Sequence, residues 1–226
     1  MTDTILITGF APFGGEAINP AYEAVKCLPD TIAGMKIQKE EIPVVFQKSG
    51  EVLQELMERY QPSAVLCIGQ AGGRAAMTVE RVAINLMEAS APDNDGNQPQ
   101  DEPVRKDAPA AYFATVPVKA MVAAMREAGV PAHISYTAGT YVCNSTMYEL
   151  LDLCAVRYPG VFGGFIHVPY ASGQVLEKAA STPFMELPAI TRGLEAALRA
   201  VAEEIKSPGV SELSRKKAGK PDGMIC

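Results

Sequence analysis

Residues 5–15 read Ile5-Leu6-Ile7-Thr8-Gly9-Phe10-Ala11-Pro12-Phe13-Gly14-Gly15, and Asn19-Pro20 follows shortly after. Ile5 to Ile7 is a short apolar run without alternation, the pattern of a strand covered on both faces. Gly9 to Gly15 reads as a loop. Asn19 then supplies a side-chain acceptor for the first turn of a helix, with proline at its first position and Val25 on its buried face. The unit is therefore strand, glycine-rich loop, helix, and its recurrence along the chain decides the fold.

A strand is expected around Ile37 to Val45, followed by a helix carrying Val52, Leu53, Leu56 and Met57, and then a buried strand from Ala64 to Ile68. Val118, Met121, Val122 and Met125 share one face of a helix that begins after Pro117 and stops at Gly129. Ala132 to Tyr136 returns to strand. Met147, Leu150, Leu151 and Cys154 line another helix, which leads to the strand Phe165 to Val168, and a last helix spans Pro188 to Ile205. Met77 to Met87 reads as an antiparallel strand pair, and the Pro-, Asp- and Asn-rich stretch from Ala91 to Pro109 as a long ordered loop. These repeats predict an α/β fold: a single-domain three-layer αβα sandwich around a mostly parallel, open twisted sheet, with functional groups at the carboxyl ends of its strands. The domain is expected over residues 1–206, and a polar, mobile tail over 207–226.

At 226 residues, with 48% hydrophobic and 20% charged side chains, the chain has the composition of one packed domain rather than of a disordered segment. Twenty Lys and Arg against 26 Asp and Glu leave a net charge of -6, which argues against a nucleic-acid partner. No apolar run approaches the roughly 20 residues of a membrane span, and the start MTDTILITGF has no basic segment before its apolar stretch. Five cysteines, Cys27, Cys67, Cys143, Cys154 and Cys226, include no close CxxC pair, so neither a disulfide framework nor a zinc knuckle is indicated and a cytoplasmic location is expected. No metal and no organic cofactor is expected.

Cys143 lies between a segment ending in Gly139 and the start of a helical pattern, where free N–H groups and the helix dipole favour a thiolate. The alternative is a buried core cysteine, the role expected of Cys27, Cys67 and Cys154. His167, near the end of an apolar strand before Pro169, has the ordinary pKa of a proton carrier, although a core histidine would look the same in sequence. His133 sits at the start of its strand, the wrong end of a parallel sheet. Glu80 alternates with Val79, so its carboxylate can face His167; it could equally pair with Arg81 or stay in water. The stretch Gly69-Gln70-Ala71-Gly72-Gly73-Arg74 spells neither a P-loop nor a dinucleotide fingerprint. Gln70 offers an amide to a lactam, and Phe10 and Phe13 form either a core cap or a slot for a flat, uncharged ring.

The stretches GFAPFGGEAINP (9–20), IGQAGGR (68–74), VERVAIN (79–85), PDNDGNQPQDEP (92–103), AAYFATVPVKAMV (110–122), AGTYVCN (138–144) and GGFIHVP (163–169) together resemble the pyroglutamyl-peptidase I family, the pyrrolidone-carboxylate peptidases, which are cysteine peptidases of family C15. The resemblance covers most of the chain through about residue 205. It implies a cysteine-type peptidase removing an N-terminal pyroglutamyl residue, with Cys143 as nucleophile, His167 as base and then acid, and Glu80 as third member. It also implies a ring pocket of Phe10, Phe13, Gln70, Tyr141 and Val142, N-terminally pyroglutamylated peptides as substrates, and a homodimer or homotetramer. Departures are Ser90 for a common arginine, Ala91 for a common isoleucine of the pocket, Tyr141 for phenylalanine, and the loop Pro169 to Gln174 after the histidine. Two other readings are a non-catalytic binding member of the same fold and a nucleoside-processing enzyme that uses the glycine loops.

Overall fold

The computed structural model describes residues 3–207. The expected tail falls almost wholly outside them, as does Cys226. The chain runs β1 (Thr4–Phe10), α1 (Pro20–Lys26), β2 (Thr31–Ile32), β3 (Met35–Ile42), α2 (Lys48–Tyr60), β4 (Ala64–Gln70), β5 (Met77–Glu80), β6 (Val82–Ile84), β7 (Ala111–Phe113), α3 (Val118–Glu127), β8 (Ala132–Ser135), α4 (Val142–Val156), β9 (Phe162–Val168), a short 3-10 turn at Ser172–Gln174, and α5 (Leu187–Lys206). Seven strands form one sheet in the order β2-β3-β1-β4-β9-β5-β8. Helices α1, α3 and α5 cover one face and α2 and α4 the other, the three-layer sandwich the alternating pattern predicts. No described helix is long and apolar enough to cross a membrane.

The central strands β3, β1, β4 and β9 run parallel. β1, β4 and β9 are buried on both faces, Ile5, Leu6 and Ile7 completely, as unalternating apolar runs require, whereas β3 exposes Lys36 and Glu41. Asn19 caps α1 by accepting from the Ala21 N–H at 3.1 Å, and its amide donates to the Ala11 carbonyl at 3.1 Å, which ties the glycine loop to the helix it feeds. Such a cap contributes about 1 kcal/mol.

The Met77–Met87 region departs from expectation. β5 and β6 do not pair with each other. β5 enters the main sheet antiparallel to β9 and parallel to β8, while β6 turns away to pair with β7. The sheet's last two strands are thus reversed relative to its centre. The 91–109 segment is ordered by its own polar side chains, as its composition suggests: Asp93 accepts from Phe46, Asp95 and Asn97, and Gln98 and Gln100 both donate to the Ala89 carbonyl. Cys67 and Cys154 are buried, but Cys27, at the C-cap of α1, is exposed and not part of the core.

Candidate active site

His167 is the sixth residue of β9 and only 4% exposed, and Glu80, the last residue of β5, is wholly buried. The antiparallel register sets Thr78 opposite His167 and Glu80 opposite Phe165. Paired residues share a face, as do residues two apart on a strand, so Thr78, Glu80, Phe165 and His167 all project to one side. That geometry brings His167 Nδ1 to 2.8 Å from Glu80 Oε1. The same oxygen accepts from Arg74 Nη1 at 2.7 Å and Thr78 Oγ1 at 3.0 Å, and Arg74 also bonds Thr78.

Charge follows from these contacts. Burial opposes ionisation of Glu80, but hydrogen bonds from His167 and Arg74 and the attraction of His167 outweigh it and hold its carboxyl below the ordinary range. An ionised carboxylate only accepts, so the His167 Nδ1 facing it carries the proton and Nε2 is left as a base. Burial lowers the pKa of His167, with Glu80 pulling the other way, and the imidazole is therefore neutral at pH 7. Burial pushes the Cys143 thiol up to about 12, with Glu80 and Cys67 adding to the rise. The resting pair is thus thiol and neutral imidazole, not thiolate and imidazolium.

Cys143 is the second residue of α4, whose first turn has no side-chain cap from Tyr141. Half-buried, it lines a cavity of about 210 Å³ together with His167, Phe10, Phe13, Asn19, Val44, Gln70, Ala138 and Tyr141. That volume lies below the roughly 300–1,000 Å³ of drug-sized sites and suits one small ring. Gly69 has to be glycine for the thiol to sit there: a Cβ at this position would meet Phe165 Cζ at 2.8 Å and Cys143 Sγ at 3.0 Å. Asn144, next to the thiol, accepts from the Ile84 N–H and donates to the Ile84 and Leu86 carbonyls, which anchors the start of α4 to β6.

The residues expected from sequence largely converge here. Glu80 pairs with Arg74 and His167 and is not left in water, while Arg81 lies over the Phe113 ring 5.4 Å away. Val142 does not line the cavity; the first residue of α4, it is fully buried in the core, and Val44 and Ala138 supply apolar wall. Ser90 and Ala91 are exposed and absent from the cavity lining. The Tyr141 hydroxyl donates to the Pro92 carbonyl at 2.9 Å and its ring meets Phe46 edge-on, so Tyr141 straps the 91–109 loop to the site. His133 lies outside the cavity, but not for the reason given by a parallel sheet. Because β8 is reversed, His133 stands level with Thr78 and through it with His167, separated by the full width of β5. Arg74 was visible only as the end of a glycine loop; its charge, placed near a buried glutamate, was the available signal.

The family model described as pyroglutamyl peptidase matches residues 3–204. The chain belongs to the pyroglutamyl peptidase family. It is 58% identical over 199 residues to the pyrrolidone-carboxylate peptidase of Streptococcus pyogenes serotype M4 (strain MGAS10750), covering 88% of this chain and 92% of that one. The crystal structure of pyroglutamyl peptidase I from Bacillus amyloliquefaciens superposes with a TM-score of 0.86 at 47% identity, over 89% of this chain and 96% of that one. A mutant pyrrolidone carboxyl peptidase from the hyperthermophile Pyrococcus furiosus gives 0.85 at 38%, over 89% and 99%. As a member of the pyroglutamyl peptidase family the chain is a cysteine peptidase with a Cys-His-Glu triad, which supersedes the nucleoside-processing reading.

Proposed function

We propose that the cavity holds the N-terminal pyroglutamyl ring of a peptide between Phe10 and Phe13, and that Cys143, His167 and Glu80 hydrolyse the amide bond after it. The observation that carries this reading is the Glu80-to-His167 Nδ1 hydrogen bond behind a cavity shared by His167 and Cys143. As Sγ attacks the exocyclic carbonyl, the thiol proton passes to His167 Nε2, so no isolated thiolate has to exist in the apolar pocket. Backbone N–H groups in the first turn of α4 stabilise the oxyanion, helped by the positive end of the helix. The imidazolium, balanced by Glu80, returns the proton to the leaving amine as the C–N bond breaks. Water, deprotonated by the same nitrogen, then attacks the thioester to release pyroglutamate and restore the thiol.

A pyroglutamyl terminus has no ammonium, and the cavity lining carries no carboxylate to receive one. This supports selection of a neutral ring, with Gln70 as the amide that meets the lactam. Release of a chromophore from a pyroglutamyl amide is expected with the wild type and absent with Cys143→Ala, and the matching prolyl amide should be a poor substrate. Turnover surviving the substitution, or equal cleavage of both amides, overturns the reading. Assembly as a homodimer or homotetramer and a cytoplasmic location complete the proposal; they are supported by the family resemblance and by free cysteines, and light scattering checks the first.

A further inference from the structure

The loop after His167 folds back onto the glycine loop through one side chain. Gln174 ends the short turn at Ser172–Gln174, and its Oε1 accepts from the Ala171 N–H at 3.0 Å. Its Nε2 faces the Ile18 carbonyl at 3.4 Å, Glu16 Oε2 at 3.2 Å and Gln70 Oε1 at 2.9 Å. A backbone N–H can only donate, and a carbonyl or an ionised carboxylate can only accept, so this amide fits in a single orientation. Glu16 is ionised: the hydrogen bond from Lys178, at 2.7 Å, holds its carboxyl below the ordinary range against a small effect of burial.

The consequence passes to Gln70. Its amide, taken alone, could present either end to the cavity it lines. With Gln174 donating to one end, that end must be the oxygen, and the hydrogens on Nε2 remain for a ligand.

We infer that Gln174, held by Glu16 and Lys178, is a positioning residue that presents Gln70 to the substrate as a hydrogen-bond donor and thereby selects a ring carrying a carbonyl over the plain pyrrolidine of proline. This rests on the reading above, in which Gln70 meets the lactam. The requirement for a lactam carbonyl is then set by a chain Lys178, Glu16, Gln174, Gln70 that reaches the surface, away from the reacting sulfur. A site built to donate a hydrogen bond leaves its donor unpaired when the acceptor is missing, and such sites discriminate strongly.

The test is steady-state kinetics on pyroglutamyl and prolyl amides with wild type, Gln174→Glu, Gln70→Ala and the double variant, together with the rate of Cys143 alkylation by iodoacetamide. A carboxylate at 174 accepts where the amide donated, so Gln70 turns its nitrogen toward it and shows oxygen to the cavity. The expected result for Gln174→Glu is a KM for the pyroglutamyl amide raised about tenfold or more, equal to about 1.4 kcal/mol. Its kcat should stay within about twofold and its alkylation rate should be unchanged. In the Gln70→Ala background the second substitution should add nothing. An unchanged KM in Gln174→Glu, or an equal rise in the absence of the Gln70 amide, overturns the inference while leaving Gln70 as a ligand residue. An unchanged KM in Gln70→Ala removes the lactam reading itself. Slowed alkylation in Gln174→Glu would mean general disruption of the site and also overturns the inference.

Discussion

Two buried glutamates sit in this molecule under similar confinement and reach opposite charge states. Glu80, at the end of β5, has one oxygen accepting from Arg74, Thr78 and His167, and its carboxyl is held below the ordinary range. Glu149 lies in α4, about two turns past Cys143, with its carboxyl against α2 where only glycine fits: a Cβ on Gly50 would lie 2.1 Å from Glu149 Oε2. That oxygen has no hydrogen-bond partner, and the buried Oε2 of Glu80 has none either; the difference lies in the three donors on Glu80 Oε1. Burial pushes Glu149 up to about 8, with Arg105 pulling back and Glu51 and Asp152 adding to the rise. Burial acts on both residues in the same direction, and the number of donors decides which one keeps its charge.

The largest effect should come from removing the charge that the donors protect. Glu80→Gln keeps the shape, with Arg74 and Thr78 holding its amide oxygen toward His167 Nδ1, but it removes the negative charge that balances the imidazolium as the thiol proton is taken. A loss of about 10³–10⁴ in kcat/KM for a pyroglutamyl amide is expected, while Glu149→Gln leaves the rate within about twofold. Comparable losses in the two variants would erase the contrast.

Stability should separate the residues in the reverse sense. A carboxyl raised to about 8 in the folded state binds a proton that the unfolded chain releases near its ordinary value of 4.5, so folding loses stability as pH rises between those limits. Glu149→Gln mimics the neutral form at every pH. Unfolding free energies from urea titration at pH 5 and pH 8 should therefore differ less in the variant, by on the order of 2–4 kcal/mol. Glu80 works on the acid side: its depressed pKa contributes stability above the unfolded value that is lost as pH falls through the folded one. Wild-type stability that stays flat from pH 5 to 8 would show Glu149 reaching water or a partner.

The same contrast explains what could be read from residue order. Crossover units announce themselves through local periodicity, and α1 with its Asn19-Pro20 start and the unalternating β1, β4 and β9 fall where the pattern predicts. Cys143, His167 and Glu80 were visible because each sits in a distinctive local stretch and because those stretches together matched a family. Strand direction at the sheet edge was not visible. β5 is four residues long and its partner β9 lies more than eighty residues away, so nothing near Met77 to Glu80 reports which way it runs. The roles of Arg74 toward Glu80 and of Gln174 toward Gln70 also depend on where folding brings loops together; the Gln70 and Gln174 amides are 104 positions apart along the chain. Glu149 carries no motif at all, and only the approach of α2 through Gly50 makes it unusual.

Arg74 offers the finest probe of how donors set charge. Its guanidinium lies beside Glu80, bridges to the Thr137 carbonyl, and lowers the pKa of both His167 and Glu80. Arg74→Met removes the positive charge while leaving the His167-to-Glu80 hydrogen bond in place. With that repulsion gone, protonated His167 becomes easier to form, so the acid limb of kcat/KM should move upward toward the ordinary 6.5 from a wild-type position below it. The rate at pH 7 should fall by no more than about tenfold, because the base keeps its tautomer and its carboxylate. An acid limb that stays in place would mean that the arginine is only a clasp between loops; a downward shift would reverse the sign assigned to its charge. The upward shift would show that the imidazole is kept neutral by two opposed influences, apolar confinement and a neighbouring cation on one side and a carboxylate on the other.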